Sequence, residues 1–296
     1  MRFSLRHLQI FVAIARDGTV STAAEALAMS QSAASAALLE LEHRYGKPLF
    51  DRAGKRLRIN ETGRALLAPA RDLLDRAGEI DTLLAGRNGP GPFRLGATQT
   101  IGNHVAPRLI QAYARRYPGR APTLTIENTA GIAAHIADFS LDLALVEGDY
   151  AHPDLLVRDW RGDELAVICA PMHRLAGRPP SLADLLAERW VVREKGSGTR
   201  QTLDRALHRH WNAWQIAMEL QQIAAIIETV AVSDLIGCVS ELAARDALAL
   251  GRVQRLDVPE LDLRRRFHIV SHREKYETPG IRAFLEICAE ATLNDG

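Results

Sequence analysis

Residues 29–41 run Met29-Ser30-Gln31-Ser32-Ala33-Ala34-Ser35-Ala36-Ala37-Leu38-Leu39-Glu40-Leu41. A serine ahead of such a run offers its side-chain oxygen to the free amides of a helix start, so Ser30 is expected to cap a helix from Gln31 to about Tyr45. Ala34, Leu38, Leu41 and Tyr45 fall on one stripe and predict the buried face, while Gln31, Ser32 and Ser35 lie near the exposed start. Upstream, Ser21 or a neighbour is placed to cap Thr22–Leu27, where Ala23 and Ala24 allow close approach of another helix. Before it, Leu5, Leu8, Phe11, Val12 and Ala15 space a first amphipathic helix ending near Asp17-Gly18. Two short helices joined by a tight turn, with small polar residues opening the second, suit the DNA major groove.

Downstream, Leu49–Asn60 predicts a hairpin turning at Ala53-Gly54, with Leu57 and Ile59 inward and Lys55, Arg56 and Arg58 outward as a basic wing. Residues 1–60 hold nine Lys or Arg against five Asp or Glu, an excess of four that the whole-chain charge of +1 conceals. The plain alternative is a three-helix core with a solvated charged surface. Beyond Glu61, the spacing of Leu66, Ala70, Leu73, Ala77, Ile80 and Leu84 forms a heptad seam, either a dimer helix or a helix packed on its own body. That helix is expected to end at Gly86, followed by a hinge-like Arg87–Pro92.

From Phe93 the period changes. Strand patterns at 93–97, Thr123–Glu127 and Leu141–Val146 alternate with helical ones, including Ile101–Arg116 with a break near Pro107, and predict an α/β body with mostly parallel sheets. Arg193–Arg200 precedes a helical run, Gln201–Trp211. Its glycines free backbone amides, and Ser197 and Thr199 add hydroxyls, so the loop is either an anion site at a helix start or a plain cap. Thr98-Gln99-Thr100 opens another helix that is expected to face it, with two helix starts converging on one anion. Glu147, at a strand end, is either a surface carboxylate or a group that meets the anion, and Trp211 and Trp214 either wall the cleft or pack in a core.

The order of helix, alanine-rich helix, Gln31-led helix, Leu49-Phe50-Asp51-Arg52 and basic wing resembles the head of the LysR-type transcriptional regulators. The resemblance continues through Leu141–Gly148 and Asp163–Ile168, which are similar to the family's effector domain, a fold like the periplasmic binding proteins. It implies a multidomain α+β chain: a winged helix-turn-helix at 1–60, a linker helix and hinge at 61–92, and a two-lobed effector-binding domain at 93–296. Lobe I is expected at 93–164 and 268–296 and lobe II at 165–267, with crossings near Glu164–Ala166 and Arg266–His268. Gln31, Ser32 and Ser35 are then expected to meet base edges or nearby phosphates of double-stranded DNA, with Arg52 and Arg56 on the backbone. The effector, a small oxyanion or carboxylate, is expected at Thr98, Thr100, Glu147, Ser197, Gly198 and Thr199. These two body motifs are similar to the branch regulating sulfite and cysteine metabolism or carbon fixation. A homodimer or homotetramer is implied.

Other classes fit less well. No apolar run approaches the roughly 20 residues of a membrane span, and no secretory signal is evident, so a cytoplasmic protein is expected. A solute-binding protein would use the body but not the basic head. An enzyme would need an activated nucleophile, yet Glu194 stands where the Gly-x-Ser-x-Gly pattern needs its first glycine. Cys169, Cys238 and Cys288 sit among apolar neighbours as three buried thiols, and the histidines lack metal spacing, so neither metal nor cofactor is expected.

Overall fold

The computed structural model describes residues 2–294 except 55, 86–88, 149–151 and 211–213. Lys55, Gly86 to Asn88 at the expected hinge, and Trp211 therefore lie outside the described residues. The head consists of α1 (Leu5–Asp17), α2 (Val20–Ala26), α3 (Gln31–Tyr45), β1 (Phe50–Ala53) and β2 (Arg56–Ile59). Ser30 caps α3 by accepting from the Ala33 amide, and Gly46 closes it in the left-handed region at φ 63°. The cap of α2 is Thr19, not Ser21: its side chain accepts from the Thr22 amide, two residues earlier than expected. Ile10, Phe11, Ile14, Ala23, Ala34 and Leu38 form the core between the helices, each side chain filling space that a polar residue would leave unpaired. Tyr45, expected on that stripe, is half exposed, because the helix ends there and the chain turns away.

The linker helix α4 (Glu61–Leu84) begins under the wing. A side chain at Gly63 would meet the Leu49 carbonyl at 2.3 Å, so only glycine permits this approach. Leu67, Ala68, Ala70 and Arg71 are buried, whereas Leu73, Ile80, Leu83 and Leu84 of the same helix are exposed.

The body comprises β3 (Arg94–Thr98), α5 (Gln99–His104), α6 (Ala106–Arg116), β4 (Thr123–Glu127), α7 (Thr129–Ala137), β5 (Leu143–Glu147) and the long β6 (Leu155–Cys169). There follow α8 (Leu182–Leu186), β7 (Arg189–Arg193), α9 (Gly198–Ala206), a 3-10 turn at His208–His210, β8 (Gln215–Leu220), α10 (Ile223–Ala231) and β9 (Ile236–Ser240). α11 (Glu241–Ala249), β10 (Gln254–Leu256), β11 (Arg264–His272) and α12 (Pro279–Asn294) complete it. The strand order is β4-β3-β5-β11-β6-β9-β7-β8, with β10 also on β6. β3 pairs in parallel with β4 and β5, and β7 with β8 and β9, while β6, β10 and β11 pair antiparallel, so the sheet is mixed and not mostly parallel.

β6 is shared by both lobes: residues 155–164 pair with β11, and 165–169 with β9 and β10. The first crossing falls at Glu164-Leu165. The return crossing comes earlier than Arg266–His268, because Arg264 already pairs with Glu164 and the Leu165 amide donates to the Leu263 carbonyl. Residues 264–267 thus belong to the sheet of lobe I. That lobe packs Phe93, Leu95, Tyr113, Phe267 and Phe284 on one face and Ile132, Ile136 and Val146 on the other. Lobe II packs Trp190, Leu203 and Trp214 on one face and Ile226, Val230 and Val239 on the other. Trp214 meets Trp190 edge-on at 5.6 Å, a core contact and not a cleft wall.

Head and body meet along α4. Phe139, in the left-handed region at φ 59°, joins the head core, and its carbonyl accepts from Arg71 and Arg94. Lys275 Nζ donates to Asp75 at 2.5 Å and pairs with Asp142 at 2.8 Å. The Arg76 guanidinium lies 4.3 Å from the ring centroid of Tyr276.

Candidate functional site

On the head, Gln31, Ser35, Arg52 and Arg56 border one groove of about 250 Å³ with Thr19 and Leu38. Ser32 does not border it; its hydroxyl lies 3.0 Å from that of Ser30 at the helix start. Arg52 pairs across the wing with Leu57, and Ala53 with Arg56, so the two arginines leave opposite faces of the ribbon and flank the groove. The Leu57 amide donates to the Gly18 carbonyl, which fixes the wing to the end of α1. The arrangement presents polar groups on a helix start between two cations, as base reading between phosphate contacts requires.

In the body, Thr98 and Thr100 lie where β3 passes into α5, Glu147 ends β5, and Ser197, Gly198 and Thr199 start α9. All but Gly198 are polar side chains buried to 2 % exposure or less. Thr100, Glu147 and Thr199 meet at a residue that sequence reasoning missed. Arg265 donates from Nη2 to Thr100 Oγ1 at 3.1 Å, from Nη1 to Thr199 Oγ1 at 3.0 Å and from Nε to Asp163 Oδ2 at 2.6 Å. Its Nη2 also lies 3.2 Å from Glu147 Oε2. One guanidinium therefore holds a hydroxyl from each lobe. Because Thr100 and Thr199 accept from it, their own hydroxyl hydrogens stay available as donors. A signal was present: within Arg264-Arg265-Arg266, strand alternation sends the middle arginine to the face opposite its neighbours.

Further bonds close the lobes on each other. The Ala130 amide donates to the Gly196 carbonyl at 3.1 Å, and the Gly198 amide to Thr129 Oγ1 at 3.1 Å, which in turn donates to the Glu147 carbonyl at 3.0 Å. A side chain at Gly198 would lie 2.1 Å from that carbonyl, so the glycine marks backbone contact between lobes, and its amide is spent on Thr129. Thr98 Oγ1, Ser197 Oγ and Glu147 Oε2 are buried without a hydrogen-bond partner among the described residues. Ser197 also borders an open cavity of about 390 Å³ with Thr129, Lys195 and Arg200. Of the two helix starts, α5 has six residues and little aligned dipole, and α9 has nine.

Elsewhere, burial pushes the thiols of Cys169 to about 11 and of Cys238 and Cys288 to about 12, so all three are held as inert thiols at neutral pH. Among the described residues no cluster of three His, Cys, Asp or Glu could hold a metal, and no helix is long and apolar enough to cross a membrane.

A winged helix-turn-helix head, a linker helix and a two-lobed cleft define a ligand-responsive DNA-binding regulator. Residues 5–64 match the bacterial regulatory helix-turn-helix protein, lysR family, and residues 86–293 match the LysR substrate binding domain. The chain belongs to the LysR family: it is a DNA-binding transcriptional regulator with an effector-binding body, and is not an enzyme. It is 37 % identical over 293 residues, covering 99 % of both chains, to the uncharacterized HTH-type transcriptional regulator YeiE of Escherichia coli (strain K12). It is 32 % identical over 289 residues, 97 % of this chain and 95 % of the relative, to the RuBisCO operon transcriptional regulator of Allochromatium vinosum, which fits the carbon-fixation branch. Full-length OxyR of Pseudomonas aeruginosa superposes with TM-score 0.72 at 22 % identity, covering 99 % of this chain and 95 % of that one, and shows the shared fold. The CcmR regulatory domain of Synechocystis, in complex with 2-PG, superposes with TM-score 0.64 at 27 % identity over 69 % of this chain and 98 % of that one.

Proposed function

We propose that this regulator is cytoplasmic and that a small oxyanion or carboxylate, sulfite-like species among the candidates, binds between its lobes and sets its affinity for an operator. The observation that carries this reading is Arg265, a buried cation holding Thr100 of lobe I and Thr199 of lobe II, while Thr98 and Ser197, two residues before them in the chain, keep buried hydroxyls without a partner among the described residues. An anion here would gain charge-assisted hydrogen bonds out of water, where they are strongest. Arg265, whose Nε, Nη1 and Nη2 donate to Asp163, Thr199 and Thr100, orients the hydroxyl donors of the site. The complex of the CcmR domain with 2-PG supports a small ligand in this fold.

On the head, Gln31, Ser32 and Ser35 read bases or nearby phosphates, and Arg52 and Arg56 hold the backbone. Leu73, Ile80 and Leu84, the exposed members of the heptad seam, supply the apolar contact of a homodimer or of the dimers within a homotetramer, while Leu66 and Ala70 pack on the head. Calorimetry on the full chain tests the cleft. Thr100→Val and Ser197→Ala are each expected to weaken ligand binding, non-additively because both grip one ligand. Wild-type affinity in both variants would remove the cleft site and leave the head untouched.

A further inference from the structure

Three buried polar atoms of the cleft are unpartnered, and they differ in kind: Thr98 Oγ1 and Ser197 Oγ donate or accept, whereas an ionised Glu147 only accepts. Arg265 does not complete Glu147. Its Nε, Nη1 and Nη2 donate to Asp163, Thr199 and Thr100, and the 3.2 Å approach of Nη2 to Glu147 Oε2 is an ion-pair distance without hydrogen-bond alignment. Nor does the cation dominate the charge. One guanidinium faces two carboxylates, Glu147 and Asp163, all with side chains exposed by 2 % or less. The nearby Arg193 pairs with Glu194 through Nε and Nη2, with its buried Nη1 left without a partner among the described residues, Arg200 pairs with Asp204 and Glu219, and Lys195 borders the cavity beside Ser197. A ligand offering only negative acceptors would thus press against Glu147 Oε2 with no proton between them, the arrangement of like charges that a buried site tolerates least.

We infer that the cleft reads a proton on its ligand: the effector presents an O–H to Glu147 Oε2 while its anionic oxygens take Thr98, Ser197 and the Arg265-held hydroxyls. Two chemical forms meet this requirement, an oxyanion that keeps an acidic proton and a hydroxycarboxylate whose hydroxyl does the same work. Donor-free anions of equal size are rejected. The inference rests on the cleft reading above and adds the specificity element, Glu147.

The test compares proton-bearing and donor-free probes on the full-length protein by calorimetry at constant ionic strength: phosphate against sulfate, and glycolate against acetate. The proton-bearing member of at least one pair is expected to bind tighter by about tenfold or more, because a site left with an unpaired buried group discriminates strongly. Glu147→Gln, whose amide supplies the donor that the ligand no longer must, is expected to abolish or reverse that preference. Sulfate or acetate bound as tightly as its partner, with the binding still weakened by Ser197→Ala, would overturn the role of Glu147 while leaving the cleft reading intact. Binding indifferent to Ser197→Ala, or absent for all four probes, would overturn both. The wild-type comparison needs no variant to fold.

Discussion

Two seams of buried charge bracket lobe I, and they are built differently. At the cleft, one cation meets two carboxylates and two threonine hydroxyls and leaves three polar atoms unpartnered. At the head, three cations, Arg71, Arg94 and Lys275, meet Asp142, Asp75 and a single carbonyl. The same two strands reach both. β3 carries Arg94 at its first residue and Thr98 at its last, while Asp142 immediately precedes β5 and Glu147 ends it. Lobe I is in effect a five-residue-deep plate with the cleft groups on one edge and the groups that meet the linker helix on the other. The unpartnered atoms at the cleft are two hydroxyls and one carboxylate oxygen. At the head they include Nε and Nη2 of Arg71, which have no hydrogen-bond partner among the described residues, and the burial of Arg71, with the charge of Arg94 adding to it, pulls its pKa down to about 10.

This contrast can be broken by substitution. Arg265→Met strands Glu147 and Asp163 in the interior, and the expected loss is about 3–5 kcal/mol in urea unfolding, as for other buried pairs deprived of one partner. A loss below about 1 kcal/mol would mean that the carboxylates are not held by this cation. Next in size is an acid effect at the head seam. Burial alone would raise Asp142, but hydrogen bonding from Arg94 and the charge of Lys275 outweigh it and hold the carboxyl far below the usual range. A depressed folded pKa gives stability that is complete above the ordinary value of about 4 and is lost as the pH falls towards the folded one. The unfolding free energy is expected to fall by roughly 2 kcal/mol or more from this group on titrating from pH 6 to pH 2, and Asp142→Asn to flatten that slope. A slope identical in the variant would reject the assignment.

Arg71→Met sharpens the comparison from the other side. An arginine with unmet donors gives back its desolvation when replaced by an apolar side chain of similar length, and Arg94 still serves the Phe139 carbonyl. Stability is expected to stay within about 1 kcal/mol of wild type in urea unfolding; a loss like that of Arg265→Met would make the two seams equivalent. Smallest in stability, within about 0.5 kcal/mol, are Arg52→Ala and Arg56→Ala on the exposed wing. Each is instead expected to reduce the salt slope of duplex binding by about one, measured by filter binding over a salt series, and unchanged slopes would remove the phosphate role.

The head was legible because its physics is local. Ser30 and the three- and four-residue spacing of Leu8 and Phe11 and of Ala34, Leu38 and Leu41 act within one or two turns of helix, whereas Leu5, expected on the first stripe, is exposed, and Ile10 and Ile14, absent from that stripe, are buried. The cap of α2 slipped by two residues because Thr19 and Ser21 offer the same oxygen, and only the backbone decides between them. In the body the two polar turns were visible, since Thr98 and Ser197 precede helices. Their partner was not. Arg265 is 165 residues from Thr100 and 66 from Thr199 in sequence, and it reaches them only because β11 pairs with β6 from Arg264 onward, a register carried by long-range ladders that no local period encodes. The same ladder placed the return crossing at Leu263 and not at Arg266–His268.

The central claim, that occupancy of the cleft governs the head, is tested most directly by operator binding with ligand as the variable. An operator selected from random duplexes is titrated with the full-length protein, with and without a ligand established by calorimetry, for wild type and Ser197→Ala. The account predicts a ligand-dependent change in operator affinity or in the spacing of protected half-sites in the wild type. In Ser197→Ala the change is expected to need more ligand by the same factor that calorimetry gives, with the salt slope of DNA binding unaltered. A ligand that binds the cleft tightly yet leaves operator affinity and spacing the same in both proteins would contradict it.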